Sequence, residues 1–227
     1  MYQNGVATSE LVQNKANSKA RTITYLIIKR IFDVVVGIIG LLFLLPIIVI
    51  VKIMFILTGD FHSIFLTQNR IGKNGKEFKF YKFRSMVLHA DEILFQLLEE
   101  NEEIREEYQK NKKLVNDPRI TKVGKILRKT SLDELPQLLN VIKGNMSLVG
   151  NRPYLPREKD DMGEYYQEII KTKPGITGYW QVNGRSDVSF ERRLKLESYY
   201  SNHCSLDLDI RIFLRTFKVV LFGKNAK

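Results

Sequence analysis

The sequence predicts a mainly helical α+β fold with one N-terminal membrane helix and one small β-hairpin. Two observations lead to this prediction. First, an uninterrupted apolar run of 18 residues occupies positions 34–51, which is long enough for a helix inserted in a bilayer. Second, two short segments rich in aromatic and β-branched residues follow it, whereas most of the remaining chain has the spacing of helices.

Size and charge limit the function further. The chain has 227 residues, 44% of them hydrophobic, which suits one domain with a real core plus an appendage. Lysine and arginine total 36 against 25 acids, but eight of the acids lie at 91–107, and the remainder carries 35 bases against 17 acids. Such a surface favours an anionic partner: phospholipid headgroups, nucleic acid or a phosphorylated substrate.

Cysteine and histidine point away from disulfide and zinc chemistry. Cys204 is the single cysteine, so an internal disulfide is excluded and a buried small hydrophobic residue is the simplest interpretation. The three histidines are far apart and show no metal-ligand spacing.

We divide the chain into a polar head at 1–24, a membrane helix at 25–58 and a globular domain at 59–227. The head lacks hydrophobic periodicity and is interpreted as a mobile segment or short surface helix. It does not resemble a signal peptide, because no cleavable small-residue site follows the apolar run. A buried core helix is the alternative for the anchor, although a fully apolar run of this length is rare in a soluble domain of this size.

Basic residues on both sides of the anchor make its topology informative. Five bases between positions 15 and 30 precede the run and six between 52 and 82 follow it, and cytoplasmic flanks are the ones that carry such bases. One straight span cannot place both flanks in the cytosol. Pro46 offers a break, because it opposes the carbonyl of Leu42, and arms of about 17–20 Å would enter one leaflet and return. We therefore predict a re-entrant helix, with a full span as the alternative.

Short β-prone runs follow the anchor. Residues 64–67 and 78–83 are rich in aromatic and β-branched side chains, and Gly-Lys-Asn-Gly lies between them at 72–75. The pattern predicts a hairpin.

Four helices are predicted after the hairpin. Residues 89–113 are predicted to form a charged helix with a thin apolar stripe, best interpreted as a solvated surface. A short basic helix is predicted at 121–129 and an apolar helix at 135–142. The tail at 209–222 mixes apolar and basic residues, which fits an amphipathic helix at a membrane surface or one packed on the core.

Two adjacent carboxylates, Asp133 and Glu134, stand out inside the basic part of the chain. Ser131 and Glu134 have the spacing of a capping box. Alternatively, the helix begins at Asp133 and leaves Pro136 in its first turn, where no amide hydrogen is needed. Acids at a helix N-terminus are ordinarily caps that match the helix dipole, so capping and catalysis both remain open from spacing alone.

Phosphoryl transfer would use such a cluster. A carboxylate can attack phosphorus and divide one displacement into two steps. A neighbouring carboxylate can hold Mg²⁺ together with phosphate oxygens, and cationic side chains can neutralise the phosphates. The basic candidates flank turns or follow the second strand, and they are Lys82, Arg84, Arg128, Arg152 and Arg185.

Ordered sequence strings identify the family that the chain resembles. They are KRIFD at 29–33, QNRIG at 68–72, FYKFRSM at 80–86, DPRIT at 117–121, SLDELPQ at 131–137, SLVG at 147–150, KPGITG at 173–178 and QVNGR at 181–185. In this order they resemble the bacterial sugar transferases, the monotopic polyprenyl-phosphate phosphoglycosyl transferases that begin exopolysaccharide, capsule and O-antigen synthesis. The resemblance covers roughly residues 29–215.

This resemblance implies a two-step reaction at the cytoplasmic face of a bacterial membrane. A UDP-sugar would lose UMP to form a phosphosugar–aspartate intermediate, and polyprenyl phosphate (undecaprenyl phosphate) would then accept the hexose phosphate, with galactose or glucose expected. By position, Asp133 matches the nucleophile and Glu134 the magnesium-associated acid. Lys82, Arg128 and Arg152 match phosphate-handling positions, while Gln181 and Arg185 match a loop near the nucleotide and sugar.

The chain departs from the family pattern at two informative positions. Asn151 replaces a usual proline in the loop before Arg152, and Leu45 precedes Pro46 where a serine is common. The rival interpretations are a basic membrane-peripheral module that binds anionic lipid or nucleic acid without catalysis, and a hydrolase in which water intercepts the acyl phosphate. With the enzyme interpretation no nucleic-acid partner is expected, and a homo-oligomer remains compatible with the sequence.

Overall fold

The chain folds into a mainly helical α+β domain attached to one long N-terminal helix. The computed structural model describes residues 3–184 and 188–222, with side chains over 22–184 and 188–218. Helix α1 spans Gln3–Leu57, and its part at Thr22–Leu57 is long and apolar enough to cross a membrane by length and composition. The predicted anchor is therefore the apolar part of a longer helix.

Pro46 lies within α1. The predicted break of the helix at Pro46 is wrong, because α1 remains helical through this residue. A proline inside a helix removes one amide donor, here the bond to Leu42, and the bonds on either side keep the turns in place. The re-entrant topology itself stays a prediction.

One face of α1 packs on the globular domain. Leu44, Val51 and Phe55 are buried in a core cluster that also contains Phe83 and Leu127. The other face is apolar and exposed: Leu42, Phe43 and Leu45 each retain more than 60% of their accessible surface. An exposed apolar patch of this kind marks a membrane or protein interaction surface.

The N-terminal half of the apolar segment is attached to the same domain by polar contacts. Asp33 is 3% exposed, and its Oδ1 accepts hydrogen bonds from Ser147 Oγ at 3.0 Å and from the Leu148 amide at 2.9 Å. Arg30 donates to the carbonyls of Val141 and Ile142 at 2.6 and 2.7 Å. Both ends of the segment therefore contact one folded unit.

The predicted hairpin is confirmed. Strands β1 (Phe65–Ile71) and β2 (Glu77–Phe83) pair antiparallel, with Leu66 opposite Lys82. A 3-10 turn joins them, in which Asn74 and Gly75 adopt positive φ angles of 57° and 76°. Asn and Gly tolerate this left-handed conformation.

The charged segment after the hairpin contains two helices, so the prediction of a single helix at 89–113 is wrong. Helix α2 spans Ala90–Glu100 and α3 spans Glu102–Asn111. Asn101 is extended between them, and its side chain accepts a hydrogen bond from the Ile104 amide at 3.0 Å. Asparagine is among the best N-caps, so it begins a new helix where the charge pattern alone suggested continuity.

The predicted basic helix is confirmed as α4, Lys122–Lys129, with Thr121 capping the Gly124 amide. Gly124 lies directly against the hairpin's end: an added Cβ would be 1.8 Å from the Ser85 carbonyl oxygen. Only glycine allows this approach, which places the first turn of α4 against Ser85, just after β2.

The rest of the domain surrounds a short parallel strand pair that the sequence did not predict. Strand β3 (Ser147–Val149) pairs with β4 (Gly175–Thr177). The main core cluster joins Phe78 and Phe80 of β2 to Val141 and Leu148. The remaining helices are α5 (Leu138–Lys143), α6 (Tyr166–Ile169), α7 (Tyr179–Asn183), α8 (Phe190–His203) and α9 (Leu206–Phe222).

Candidate active site

Asp133 and Glu134 lie in a 3-10 turn, Leu132–Gln137, that precedes α5. Ser131 before it is left-handed (φ 57°) and its side chain makes no capping hydrogen bond, so the predicted capping box is wrong. Pro136 and Gln137 are buried, which fixes the turn against the domain. The 3-10 turn continues directly into α5, so the two acids lie in the first turn of the combined helical segment with Pro136 inside it, which agrees with the alternative of a helix that begins near Asp133.

Two cations act on the Asp133 carboxylate. Burial raises the pKa of Asp133 above its usual range, whereas the positive charges of Lys82 and Arg128 act in the opposite direction. Taking a carboxylate out of water is costly unless a cation compensates. A partly buried carboxylate with two nearby cations is a strong candidate for a functional group.

Lys82 projects from β2 into this group and is itself half-buried. Burial and the like charges of Arg70 and Arg128 lower the pKa of Lys82 to about 8, while Asp133 opposes that shift. A bound anion would stabilise the charged form of Lys82, because its negative charge would offset the cost of burying the ammonium group and the repulsion from the neighbouring arginines. Lys82 is therefore suited to bind an anion.

Arg152 is a third cation of this group, since its charge acts on Lys82 and on Arg128. Its backbone amide donates to Glu197 Oε1 at 2.8 Å, and its Nε is buried without a hydrogen-bond partner among the described residues. Burial acts to lower the pKa of Arg152, but the charges of Glu158, Glu197 and Glu134 outweigh it and the net shift is upward. Arg152 therefore stays cationic, and the negative charge of Glu134 helps to stabilise its charged form.

The structure adds two arginines whose roles the sequence did not indicate. Arg70 on β1 is 7% exposed and donates to the Pro153 carbonyl at 3.0 Å. Arg193 on α8 is 5% exposed, and its guanidinium lies 4.6 Å from the centre of the Trp180 ring. The Nε atoms of both lack partners within the described part of the chain. The signal available in the sequence was the string QNRIG at 68–72, which contains Arg70.

The predicted role of Arg84 does not agree with its contacts. Its Nη2 lies 2.9 Å from Asp60 Oδ2 and its Nε donates to the Ser63 carbonyl at 2.8 Å. The guanidinium also stands 4.8 Å from the centre of the Phe55 ring. Arg84 therefore ties the end of α1 to the hairpin, and the structure does not bring it into the group around Asp133.

The predicted nucleotide loop is seen only in part. Gln181 lies on α7, half-buried, and its Nε2 donates to the Ile176 carbonyl at 3.1 Å, so this nitrogen holds α7 against β4. Arg185 lies outside the described residues.

The acidic pair suits magnesium held partly by substrate. Residues 22–184 and 188–218 contain no cluster of three or more His, Cys, Asp or Glu side chains able to hold a metal. Asp133 and Glu134 supply two carboxylates on neighbouring residues. Mg²⁺ usually takes one or two protein carboxylates and completes its shell with phosphate oxygens and water, so this donor set fits the ion when a diphosphate is present.

The fold and this site define a mainly helical domain with one long apolar helix and a basic group of side chains around an acidic pair, and comparison with known proteins places it in a family. The family model described as "Bacterial sugar transferase" matches residues 24–223. The chain belongs to this family.

Three relatives illustrate the match. The chain is 44% identical over 199 residues to an undecaprenyl-phosphate galactose phosphotransferase of Salmonella typhimurium, covering 88% of the chain and 41% of the relative. It is 45% identical to the galactosyl transferase CpsE of Streptococcus agalactiae, covering 90% and 44%. It is 41% identical to the exopolysaccharide production protein ExoY of Sinorhizobium fredii, covering 87% of both. The chain thus spans less than half the length of the first two.

Proposed function

We propose that the chain transfers a hexose 1-phosphate from a UDP-sugar to undecaprenyl phosphate or a similar polyprenyl phosphate. The observation that carries this proposal is the Asp133 carboxylate, partly buried and compensated by Lys82 and Arg128. Two relatives are named as a galactose phosphotransferase and a galactosyl transferase. These names support transfer of a sugar phosphate as the reaction class and make galactose the first sugar to test.

The reaction proceeds in two displacements at one phosphorus atom. An Asp133 oxygen attacks the sugar-bearing phosphorus of the UDP-sugar, the bond from that phosphorus to the bridging oxygen breaks, and UMP leaves with the bridging oxygen. An oxygen of polyprenyl phosphate then attacks the same phosphorus and the aspartate carboxylate leaves. The product is a polyprenyl diphosphosugar, and a carboxylate nucleophile divides one displacement into two.

The surrounding side chains have separate tasks. Lys82 and Arg128 act on Asp133 and neutralise the phosphate that approaches it, and Arg152 adds a cation on the Glu134 side. Asp133 and Glu134 would hold Mg²⁺ together with diphosphate oxygens, and the ion would supply charge neutralisation there. Trp180, 4.6 Å from the Arg193 guanidinium, offers an aromatic wall for the sugar or the uracil.

The acceptor reaches this site from a bilayer in which α1 is inserted. Asp33 and Phe55, near opposite ends of the apolar segment, both pack on the same domain. A helix spanning the bilayer would place one of these ends on the far side, away from that domain. The contacts therefore support a re-entrant anchor and, with the basic flanks, a domain at the cytoplasmic face.

Release of UMP tests the catalytic proposal. Purified protein with a panel of UDP-sugars, Mg²⁺ and polyprenyl phosphate is expected to release UMP and form a lipid-linked diphosphosugar. Without acceptor, intact mass spectrometry after rapid quenching should detect a hexose-phosphate adduct that maps to Asp133. Asp133→Asn should abolish adduct and product, whereas Asp91→Asn, an exposed carboxylate paired with Arg157, should retain both.

Two outcomes would overturn this proposal. One is product formation at the full rate by Asp133→Asn, which would remove the nucleophile. The other is UMP release that continues without acceptor as free sugar phosphate accumulates, which would indicate hydrolysis.

Topology requires its own experiment. In a Cys204→Ser background, single cysteines are placed at Ala20 and Lys76, which lie before and after the segment Thr22–Leu57. Labelling with an impermeant maleimide in inside-out vesicles should modify both sites, and right-side-out vesicles should protect both. Labelling from opposite sides would establish a full span instead.

A further inference from the structure

A large cavity separates the start of the membrane segment from the domain. Its volume is about 1200 Å³, and its walls include Tyr25 and Lys29 of α1, Lys73 of the hairpin turn, Lys173 before β4 and Tyr200 of α8. Cavities of this size accommodate molecules as large as a cofactor or a lipid headgroup.

Among the charged residues that line the cavity, five are basic and one is acidic. Lys29 is neutralised by Asp209 at 2.6 Å, and Asp33 is the one acid among its described lining residues. Three lysines have side-chain ammonium groups without an ion pair or hydrogen bond in the part of the chain that the structure describes, and they are Lys73, Lys171 and Lys173.

Crowding of like charges makes the cavity attractive to an anion. Burial, followed by the charge of Arg30, lowers the pKa of Lys173, and Lys73 and Lys29 act in the same direction. Asp33 opposes them, but its Oδ1 already accepts two hydrogen bonds from the domain. An incoming phosphate would offset this repulsion.

The surface beside the cavity is apolar. Leu26 of α1 and Leu206 of α9 line the cavity itself. The Phe32 and Phe213 rings pack edge-to-face at 5.2 Å and join these two helices. Leu214 and Phe217 continue this surface and are more than half exposed. A basic cavity bordered by exposed apolar side chains has the composition of a bilayer–water boundary.

We propose that this cavity binds the phosphate of an anionic glycerophospholipid where α1 enters the bilayer. The cavity is separate from the nucleophile: Lys73 lies at the turn of the hairpin and Lys82 near its other end. Five residues of extended strand between Glu77 and Lys82 correspond to roughly 17 Å. This proposal depends on membrane insertion of α1 and not on any chemistry at Asp133.

Thermal melting in nanodiscs tests it. Three proteins are compared in phosphatidylcholine alone and in an equal mixture with phosphatidylglycerol: wild type, Lys171→Gln/Lys173→Gln, and the matched control Lys110→Gln/Lys159→Gln. The control removes the same charge from exposed lysines that do not line the cavity. Phosphatidylglycerol should raise the Tm of wild type and control equally, and the cavity variant should lose at least half of that increase.

Further measurements distinguish a phospholipid headgroup from inorganic phosphate and from polyprenyl phosphate as the bound anion. An equal increase in all three proteins would overturn the proposal, as would a full increase produced by inorganic phosphate in phosphatidylcholine nanodiscs. A severalfold higher KM for polyprenyl phosphate in the cavity variant would assign the cavity to the acceptor and overturn it too. If the double variant does not fold, Lys171→Gln alone replaces it, and native mass spectrometry should show that it retains less phosphatidylglycerol than the control does.

Discussion

The Nε of Arg128 donates a hydrogen bond to Ser85 Oγ at 2.9 Å, which joins the last turn of α4 to the residues that follow β2. Ser85 is 1% exposed, and its carbonyl accepts from the Thr121 amide at 3.1 Å. A buried hydroxyl thus orients one of the two cations that act on Asp133.

Ser85→Ala tests this orientation. Loss of one hydrogen bond to a charged group should lower kcat/KM about 10-fold, corresponding to about 1.4 kcal/mol, because Arg128 is then free to turn away from Asp133. UMP release measured over a range of UDP-sugar concentrations provides both constants. Ser63→Ala is the control, since the Ser63 hydroxyl bonds to Phe65 alone among the residues that the structure describes. Unchanged kcat/KM in Ser85→Ala would contradict an orienting role.

Lys82 should determine the alkaline limit of activity. Its pKa is about 8, so the free enzyme loses this positive charge as the pH rises through that value, and kcat/KM should fall with an apparent pKa near 8. Lys82→Arg should remove this alkaline limb, because arginine stays charged. Lys79→Arg, exposed on the same strand, should leave it in place. Identical pH profiles for Lys82→Arg and wild type would exclude Lys82 as its origin.

Arg84 should affect stability rather than chemistry. Arg84→Ala leaves Asp60 without the partner that lowers the pKa of Asp60 to about 2, and it removes the contact with Phe55. We expect a loss of about 1–3 kcal/mol in stability, read as a lower Tm in detergent micelles, with kcat/KM per folded molecule within twofold of wild type. A large fall in kcat/KM with unchanged Tm would restore the role that the sequence predicted.

Glu197 should make stability depend on pH. Burial raises the pKa of Glu197 to about 7 from 4.5, although the hydrogen bond from the Arg152 amide and the charges of Arg193 and Arg152 act in the opposite direction. Between these two values the folded state binds more protons than the unfolded state. The stability of wild type relative to Glu197→Gln should therefore fall as pH rises through this window, by on the order of 1–3 kcal/mol. Glutamine keeps the acceptor for Arg152, so Tm measured for both proteins across the window isolates the charge. A constant difference in Tm would contradict the raised pKa.

Local patterns were enough to predict several elements correctly. Residues 64–67 and 78–83 lie within or overlap the two strands, and the basic helix predicted at 121–129 is α4, which Thr121 caps. Each of these depends on neighbours within a few residues, through side-chain alternation, turn chemistry or an N-cap. The prediction of one helix at 89–113 was wrong for a related reason. The charge pattern continues through Asn101, but the capping hydrogen bond of Asn101 begins a second helix there.

Contacts between distant residues could not be predicted in this way. The parallel pairing of β3 with β4 joins Ser147 to Gly175, and no periodicity in either short segment indicates it. Arg70 and Arg84 show the same limit, since both are arginines at the hairpin. One faces Pro153 and the basic group, and the other is held by Asp60.

The sequence by itself determined the long apolar helix, the hairpin, the basic surface and the acidic pair at Asp133 and Glu134, because apolar length, alternation and net charge are properties of the chain alone. Only the tertiary structure decided which cations surround that pair and which serve as structural ties. Lys82, Arg128 and Arg152 converge through packing of β2, α4 and the segment after β3, and burial there sets the pKa shifts. Such convergence depends on contacts between residues far apart in the chain, which a linear pattern does not contain.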